Sequence, residues 1–101
     1  MPVDDYKKFL FERLQDLDYA AGYLSDCLEE GEAAFLIGLR DVVDAHGGIG
    51  ALSKGTELNR EGLYRMLSEN GNPTFSSLSV ILDSLGIRVH FSAKLEGTEA
   101  A

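Results

Sequence analysis

Several residue types are scarce in this chain, and each scarcity narrows what the protein can be. Its 101 residues include a single cysteine, Cys27, so no internal disulfide can form. Tryptophan is absent, and no apolar run approaches the ~18 residues that a membrane span requires. The opening "MPVDDYKKFLFERL" breaks its apolar residues with charges, unlike a signal peptide. These features predict a soluble, single-domain protein of a reducing compartment, the cytoplasm.

Positive charge is also scarce. Nine Lys and Arg residues face 17 Asp and Glu residues, which gives a formal net charge of −8. Residues 1–45 carry −7 of this charge, residues 46–86 carry −1, and the remainder is neutral. A non-specific nucleic-acid binder would be basic overall. Any DNA recognition must therefore come from a small local site, doubled in a dimer.

Helical periodicity runs through most of the chain. Apolar residues spaced by three and four predict a first helix over residues 4–17. Asp18 is expected to cap a second helix, which Gly31 ends. A third helix is predicted from residue 32 to the glycine pair 47–48.

Three small residues inside these helices bear on packing: Gly22, Gly38 and Cys27. Gly22 and Gly38 each cost a helix about 1 kcal/mol relative to alanine, which favours close helix–helix packing as their purpose. Cys27 shares an apolar face with Leu24 and Leu28. It is interpreted as a small core residue.

The second half predicts three shorter helices. "IGALSKGTE" forms the first, and Asn59 is expected to cap the next, over residues 60–68. "NGNP" ends that helix, and Thr74 is expected to cap a last one that stops at Gly86. The residues predicted to face inward are Leu63, Met66, Leu67, Phe75, Leu78, Ile81, Leu82 and Leu85.

The segment "IRVHFS", residues 87–92, alternates apolar Ile87, Val89 and Phe91 with polar residues, which is a strand pattern. A lone strand leaves its backbone unpaired, so these three residues are predicted to form a dimer interface by pairing with a second copy. Docking on the helices is the alternative. The fold class is thus an all-α bundle of five to six helices with a short C-terminal β-strand, followed by a disordered tail, residues 97–101.

Two short helices joined by a tight turn, with small Ala51 on the first, fit a helix-turn-helix. The second helix of that motif presents its N-terminal residues to base edges in the major groove. Arginine pairs with guanine, glutamate accepts from cytosine, and asparagine binds adenine or phosphate. The candidate DNA-binding residues are Lys54, Asn59, Arg60, Glu61, Tyr64 and Arg65.

Each candidate also has a simpler interpretation. Arg60 and Arg65 would then be ordinary solvated charges, with Glu61 restraining Arg65 one turn along the helix. Tyr64 would be a half-buried packing residue. Asn59 is chiefly a helix cap, and Lys54 an exposed lysine like many others.

A longer run resembles a known family. "AAFLIGLRDVVDAHGGIGALSKGTELNREGLYRMLSENGNPTFSSLSVILDSLGIRV" is similar to the HigA-like addiction-module antidote proteins, small XRE/Cro-type helix-turn-helix antitoxins. "REGLYRMLSENGNPTFSSL" and "FLIGLRDVV" are the most specific pieces. The resemblance implies one domain, residues 1–96, with N-terminal helices over 1–31, a DNA-binding core over 32–86 and the strand over 87–92.

The resemblance also implies a function. Such an antitoxin is encoded beside a small RelE/ParE-like toxin, which it neutralises, and it represses the shared operon through its helix-turn-helix. The homodimer predicted above would place two recognition helices about one turn of double-stranded DNA apart, so the operator is expected to be an inverted repeat. Two alternatives stay open: a stand-alone phage- or plasmid-type repressor without a toxin, and a protein-interaction module that has lost DNA binding.

One departure from the family concerns the turn. Where glycine is common in the family, this chain has Glu57, and Gly55 stands two residues earlier. If the turn required positive φ, Glu57 would be strained by roughly 1 kcal/mol.

No constellation predicts catalysis. One cysteine with His46 and His90 makes no metal-ligand cluster, and the carboxylates of Glu29, Glu30 and Glu32 have no histidine or apolar pocket beside them. We therefore expect no enzyme, cofactor or metal. The acidic N-terminal half would complement a basic toxin and speed association, or would simply maintain solubility.

Overall fold

Six helices make up the fold, and a computed structural model describes residues 3–94 of the chain. The predicted all-α bundle is confirmed. The tail over residues 97–101 lies outside the described residues. The helices are α1 (Val3–Arg13), α2 (Leu17–Glu30), α3 (Glu32–Ala45), α4 (Gly48–Gly55), α5 (Arg60–Met66) and α6 (Phe75–Leu85).

The core lies around α3, which packs against α1, α2 and α4, while α4 in turn contacts α5 and α6. Leu39 and Val42 of α3 are completely buried. Leu63 of α5 and Ile81 of α6 join the same apolar cluster. Removing each such side chain from water contributes about 1.5–3 kcal/mol, so burial rather than helix propensity holds the short helices in place.

The boundary between α1 and α2 differs from the prediction. α1 ends at Arg13, and Asp16, not Asp18, caps α2 by accepting from the backbone N–H groups of Asp18 at 2.9 Å and Tyr19 at 3.3 Å. Leu14 lies in the intervening turn and is completely buried. It continues the apolar spacing past the end of the helix, which is why the predicted helix ran too far.

Four other predicted helix boundaries are confirmed, two of them caps and two of them glycine ends, whereas α3, α4 and α5 end about two residues before their predicted ends. The Thr74 hydroxyl accepts from the Ser77 N–H at 3.1 Å, and Asn59 caps α5. Gly31 and Gly86 end α2 and α6 with φ of 130° and 87°, a region that favours glycine.

The predicted C-terminal strand is not found: residues 3–94 contain no strand. The Ile87 N–H donates to the Leu82 carbonyl at 2.9 Å, and the Ile87 side chain packs on the core. Val89 and Phe91 are 41% and 87% exposed. Of the three alternating apolar residues, Ile87 therefore docks on the helices, whereas Val89 and Phe91 point away from the core. A strand also needs a second strand with which to pair, and residues 3–94 offer none.

The two helical glycines have different roles, and a paired substitution measures the difference. A Cβ at Gly38 would lie 2.6 Å from Sγ of Cys27, whereas a Cβ at Gly22 would meet nothing within 4 Å. We expect Gly38→Ala to lower the free energy of unfolding by about 1–3 kcal/mol through overpacking. Gly22→Ala should raise it by about 0.5–1 kcal/mol through helix propensity.

Urea unfolding of both variants checks this expectation. Combining Gly38→Ala with Cys27→Ala should recover part of the loss, because Sγ is the closest atom. Equal effects at the two glycines would contradict close packing of α2 on α3 as the reason for Gly38.

Candidate functional site

The turn between α4 and α5 is held by side-chain hydrogen bonds. The Thr56 hydroxyl donates to the Leu52 carbonyl at 3.0 Å and accepts from the Leu58 N–H at 3.2 Å. The Ser53 hydroxyl donates to the Leu58 carbonyl at 3.3 Å. Leu52 and Leu63 are buried on either side of the turn. The two helices therefore form one unit with a defined orientation, as a helix-turn-helix requires.

The expected strain at Glu57 is absent. Among the described residues, positive φ occurs only at glycines, so Glu57 adopts ordinary backbone geometry. Gly55, inside α4, has a different role: a Cβ there would lie 3.0 Å from Oγ of Ser84 on α6. Gly55 thus accommodates the packing of α4 on α6, and Glu57 does not distort the turn.

Asn59 begins α5 as predicted. Its side-chain oxygen accepts from the Gly62 N–H at 2.6 Å, and its carbonyl accepts from the Leu63 N–H at 3.0 Å. A Cβ at Gly62 would lie 3.1 Å from that side-chain oxygen, so Gly62 leaves room for the cap. With the oxygen occupied, the Asn59 amide N–H₂ is the part of the side chain left for another partner.

The six candidate DNA-binding residues all lie on the α4–α5 unit and all are exposed. Tyr64 is 50% exposed, so its side chain is half-buried and leaves half of its surface free for a partner. Leu63 and Leu67 face the core. The structure thus brings these six residues together on one unit: Lys54 at the end of α4, Asn59 at the cap, and Arg60, Glu61, Tyr64 and Arg65 on α5.

Charge on this unit differs from charge on the chain. Between residues 48 and 67 there are three cationic and two acidic side chains, a net charge of +1, against −8 for the whole chain. The cations are Lys54, Arg60 and Arg65. This surface has the sign that phosphate contacts need, although it is weakly charged.

A second feature, which the sequence did not predict, is an apolar groove with a volume of about 570 Å³. The groove is lined by residues of α2 and α3, by the start of α6 and by residues 87–91. Leu28 and Phe75, both predicted to face inward, line it and are 56% and 63% exposed. Its sequence signal was that these two apolar residues lie at the edge of their helical stripes.

The predicted dimer-interface residues Ile87, Val89 and Phe91 also line the groove. Arg88, His90 and Glu32, the first residue of α3, line it as well.

The acidic half is braced by a polar contact between α2 and α3. The Tyr23 hydroxyl donates to Oδ2 of Asp41 at 2.8 Å. Burial raises the pKa of Tyr23, and the bond to Asp41 raises it further, so the phenol stays protonated and donating near neutral pH. Burial likewise raises the pKa of the Cys27 thiol, which fits a packing residue.

The described residues lack two further features. Residues 3–94 include no group of three or more His, Cys, Asp and Glu side chains arranged to hold a metal ion. None of the helices in the described part of the chain is both long and apolar enough to cross a membrane.

Comparison with known proteins identifies the family. No solved structure matches the chain. A Haemophilus influenzae protein described as uncharacterized is 29% identical over 87 residues, covering 76% of this chain and 89% of that protein. A family model described as "Probable addiction module antidote protein" matches residues 5–93. The chain therefore belongs to the family of addiction-module antidote proteins.

Proposed function

We propose that this protein is the antitoxin of a type II toxin–antitoxin module, of the HigA-like XRE/Cro type, and that it represses its own operon. The observation that carries the DNA-binding part is the geometry of α5. A hydrogen-bonded turn and an Asn59 cap fix this helix, buried Leu63 anchors it, and its polar side chains face solvent.

In this proposal α5 enters the major groove and α4 lies against the DNA backbone. Arg60, in the first turn of α5, bonds a guanine edge, and Arg65 bonds a base or phosphate. Lys54, in the last turn of α4, contacts phosphate. Glu61 and Tyr64 complete the exposed face. A homodimer then spaces two recognition helices by about 34 Å, so the operator is an inverted repeat.

The toxin partner is a small basic protein of the RelE/ParE-like class. Residues 1–45 supply the complementary charge, a net −7. Opposite charge on the partners speeds diffusional encounter and suppresses wrong pairings. The hydrogen bond between Tyr23 and Asp41 joins α2 to α3 within this acidic half.

The DNA-binding part is tested with the fragment upstream of the protein's own gene. Fluorescence anisotropy over a salt series should show saturable binding that an unrelated fragment lacks. We expect Arg60→Ala to lose about 1–3 kcal/mol of that binding. Lys8→Ala is the matched control, because it removes one positive charge from an exposed position on α1, and it should bind like the wild type.

Other outcomes separate the alternatives. Equal or absent binding to both fragments, at every salt concentration, would mean that the helix-turn-helix is a scaffold for protein contacts. Selective DNA binding without any complex with the small basic protein encoded beside the gene would indicate a stand-alone repressor. Calorimetric titration of the two purified proteins, with a charge-reversed Asp18→Lys variant alongside, provides the second measurement.

A further inference from the structure

We propose that the apolar groove is the homodimer contact, and that Phe91 of each copy inserts into the groove of the other. This inference rests on the dimer of the proposed function and states how it forms. Side-chain insertion replaces the strand pairing expected from the sequence.

The groove lies beside the most exposed large apolar side chain of the described residues. Phe91 is 87% exposed and lines the groove together with Leu28 on α2 and Phe75 on α6. These three side chains each leave more than half of their surface in water, so the monomer leaves apolar surface uncovered here. A knob and a recess on one face of one molecule are self-complementary under a twofold rotation.

The polar groups at the groove favour a second copy over a basic partner. Glu32 and Arg88, which carry opposite charges, both line the groove. In an isologous contact residue i meets j and residue j meets i, so a pairing of Glu32 with the partner's Arg88 would occur twice. A basic segment of a toxin would approach Arg88 with charge of the same sign, which disfavours it as the occupant.

The groove is also continuous with the chain that leaves α5. Residues 71–73 line the groove only a few positions after α5 ends at Met66. A contact at this place would connect the two copies close to their recognition helices. It would therefore set the spacing of those helices with little intervening chain.

Sedimentation equilibrium of the full chain over a concentration series tests the inference without DNA or toxin. The wild type should dimerise, and Phe91→Ser should raise the dimer dissociation constant at least tenfold. Its circular dichroism spectrum should be unchanged, since Phe91 is exposed. Ile37→Ser is the matched control, because Ile37 is 63% exposed on α3 and does not line the groove.

A charge swap tests the orientation of the two copies. Glu32→Lys and Arg88→Glu should each weaken the dimer, and the double variant should recover it. Failure of the double variant to recover would overturn the twofold arrangement.

The failures of the two proposals can be told apart. A monomeric wild type that binds its operator, or a Phe91→Ser variant that dimerises like the wild type, overturns the groove contact alone. If the Phe91→Ser variant stays dimeric but no longer binds the toxin, the groove is the toxin-binding site, and the proposal that a second copy occupies it is overturned. If Phe91→Ser abolishes dimerisation but the wild-type dimer binds no DNA, the groove contact is supported and the proposed repressor function is refuted.

Discussion

Leu63→Ala is expected to lower the free energy of unfolding by about 2–5 kcal/mol, the range for a fully buried leucine. Leu63 has no exposed surface, and it joins α5 to the core that surrounds α3. α5 is only seven residues long, so it has little intrinsic stability and depends on this contact. Such a loss is a large share of the stability of a small domain. Urea unfolding followed by far-ultraviolet circular dichroism measures it.

Tyr64→Ala is the matched control on the same helix. Tyr64 is 50% exposed, so its loss should change stability by only about 0.5 kcal/mol. Operator binding measured on this stably folded variant then reports whether the ring contacts DNA. If both variants lost equal stability, α5 would not be anchored through Leu63, and the assignment of its inner and outer faces would be wrong.

The parts of the fold that follow from local chemistry were predictable. Asn59 and Thr74 cap helices because their side-chain oxygens reach backbone N–H groups two or three residues ahead, and that depends on a few adjacent residues alone. Gly31 and Gly86 end helices because their backbone must adopt positive φ. The exposed set on α5 was predictable for a similar reason: Leu63, Met66 and Leu67 define the inner face, and the other residues must point away from it.

Apart from the cap of α2, which was placed two residues too late, the errors arose where the outcome depends on distant packing. Periodicity marks Leu28 and Phe75 as apolar-facing but does not say whether another helix covers them, and here a groove leaves both more than half exposed. Alternation at Ile87 and Val89 resembles a strand, yet only Ile87 packs on the core. Close packing was predicted for both helical glycines and is found at Gly38 but not at Gly22; the difference depends on the position of Cys27 on another helix, which no local pattern contains.

The roles of the candidate residues are a separate matter from their positions. Exposure of Arg60 and Arg65 agrees with the expected site, but exposed arginines are equally ordinary solvated charges. Base contact depends on a partner that lies outside the chain. The DNA-binding residues, the inverted repeat and the dimer therefore stay predictions, each with its own measurement.

Gly71→Ala is expected to disturb the recognition helix and the groove together. A Cβ at Gly71 would overlap the main-chain carbonyl of Met66, the last residue of α5, and a main-chain atom cannot rotate away as a side chain can. The chain leaving α5 must shift, at a cost of about 1–3 kcal/mol or more in the free energy of unfolding. Gly71 also lines the groove. Urea unfolding, operator anisotropy and sedimentation equilibrium should therefore all change in this one variant.

Gly50→Ala is the control, since a Cβ at Gly50 inside α4 would meet nothing within 4 Å. It should be as stable as the wild type or more so, by about 0.5–1 kcal/mol. A different result would contradict this prediction: Gly71→Ala loses stability but, below its urea unfolding midpoint, keeps both operator affinity and dimer affinity. The chain that leaves α5 would then position neither the DNA-binding face nor the groove. If the variant lost dimer affinity but each folded protomer kept its DNA affinity, the effect would lie at the groove. α5 would then have kept its geometry while the residues that follow it in the chain moved.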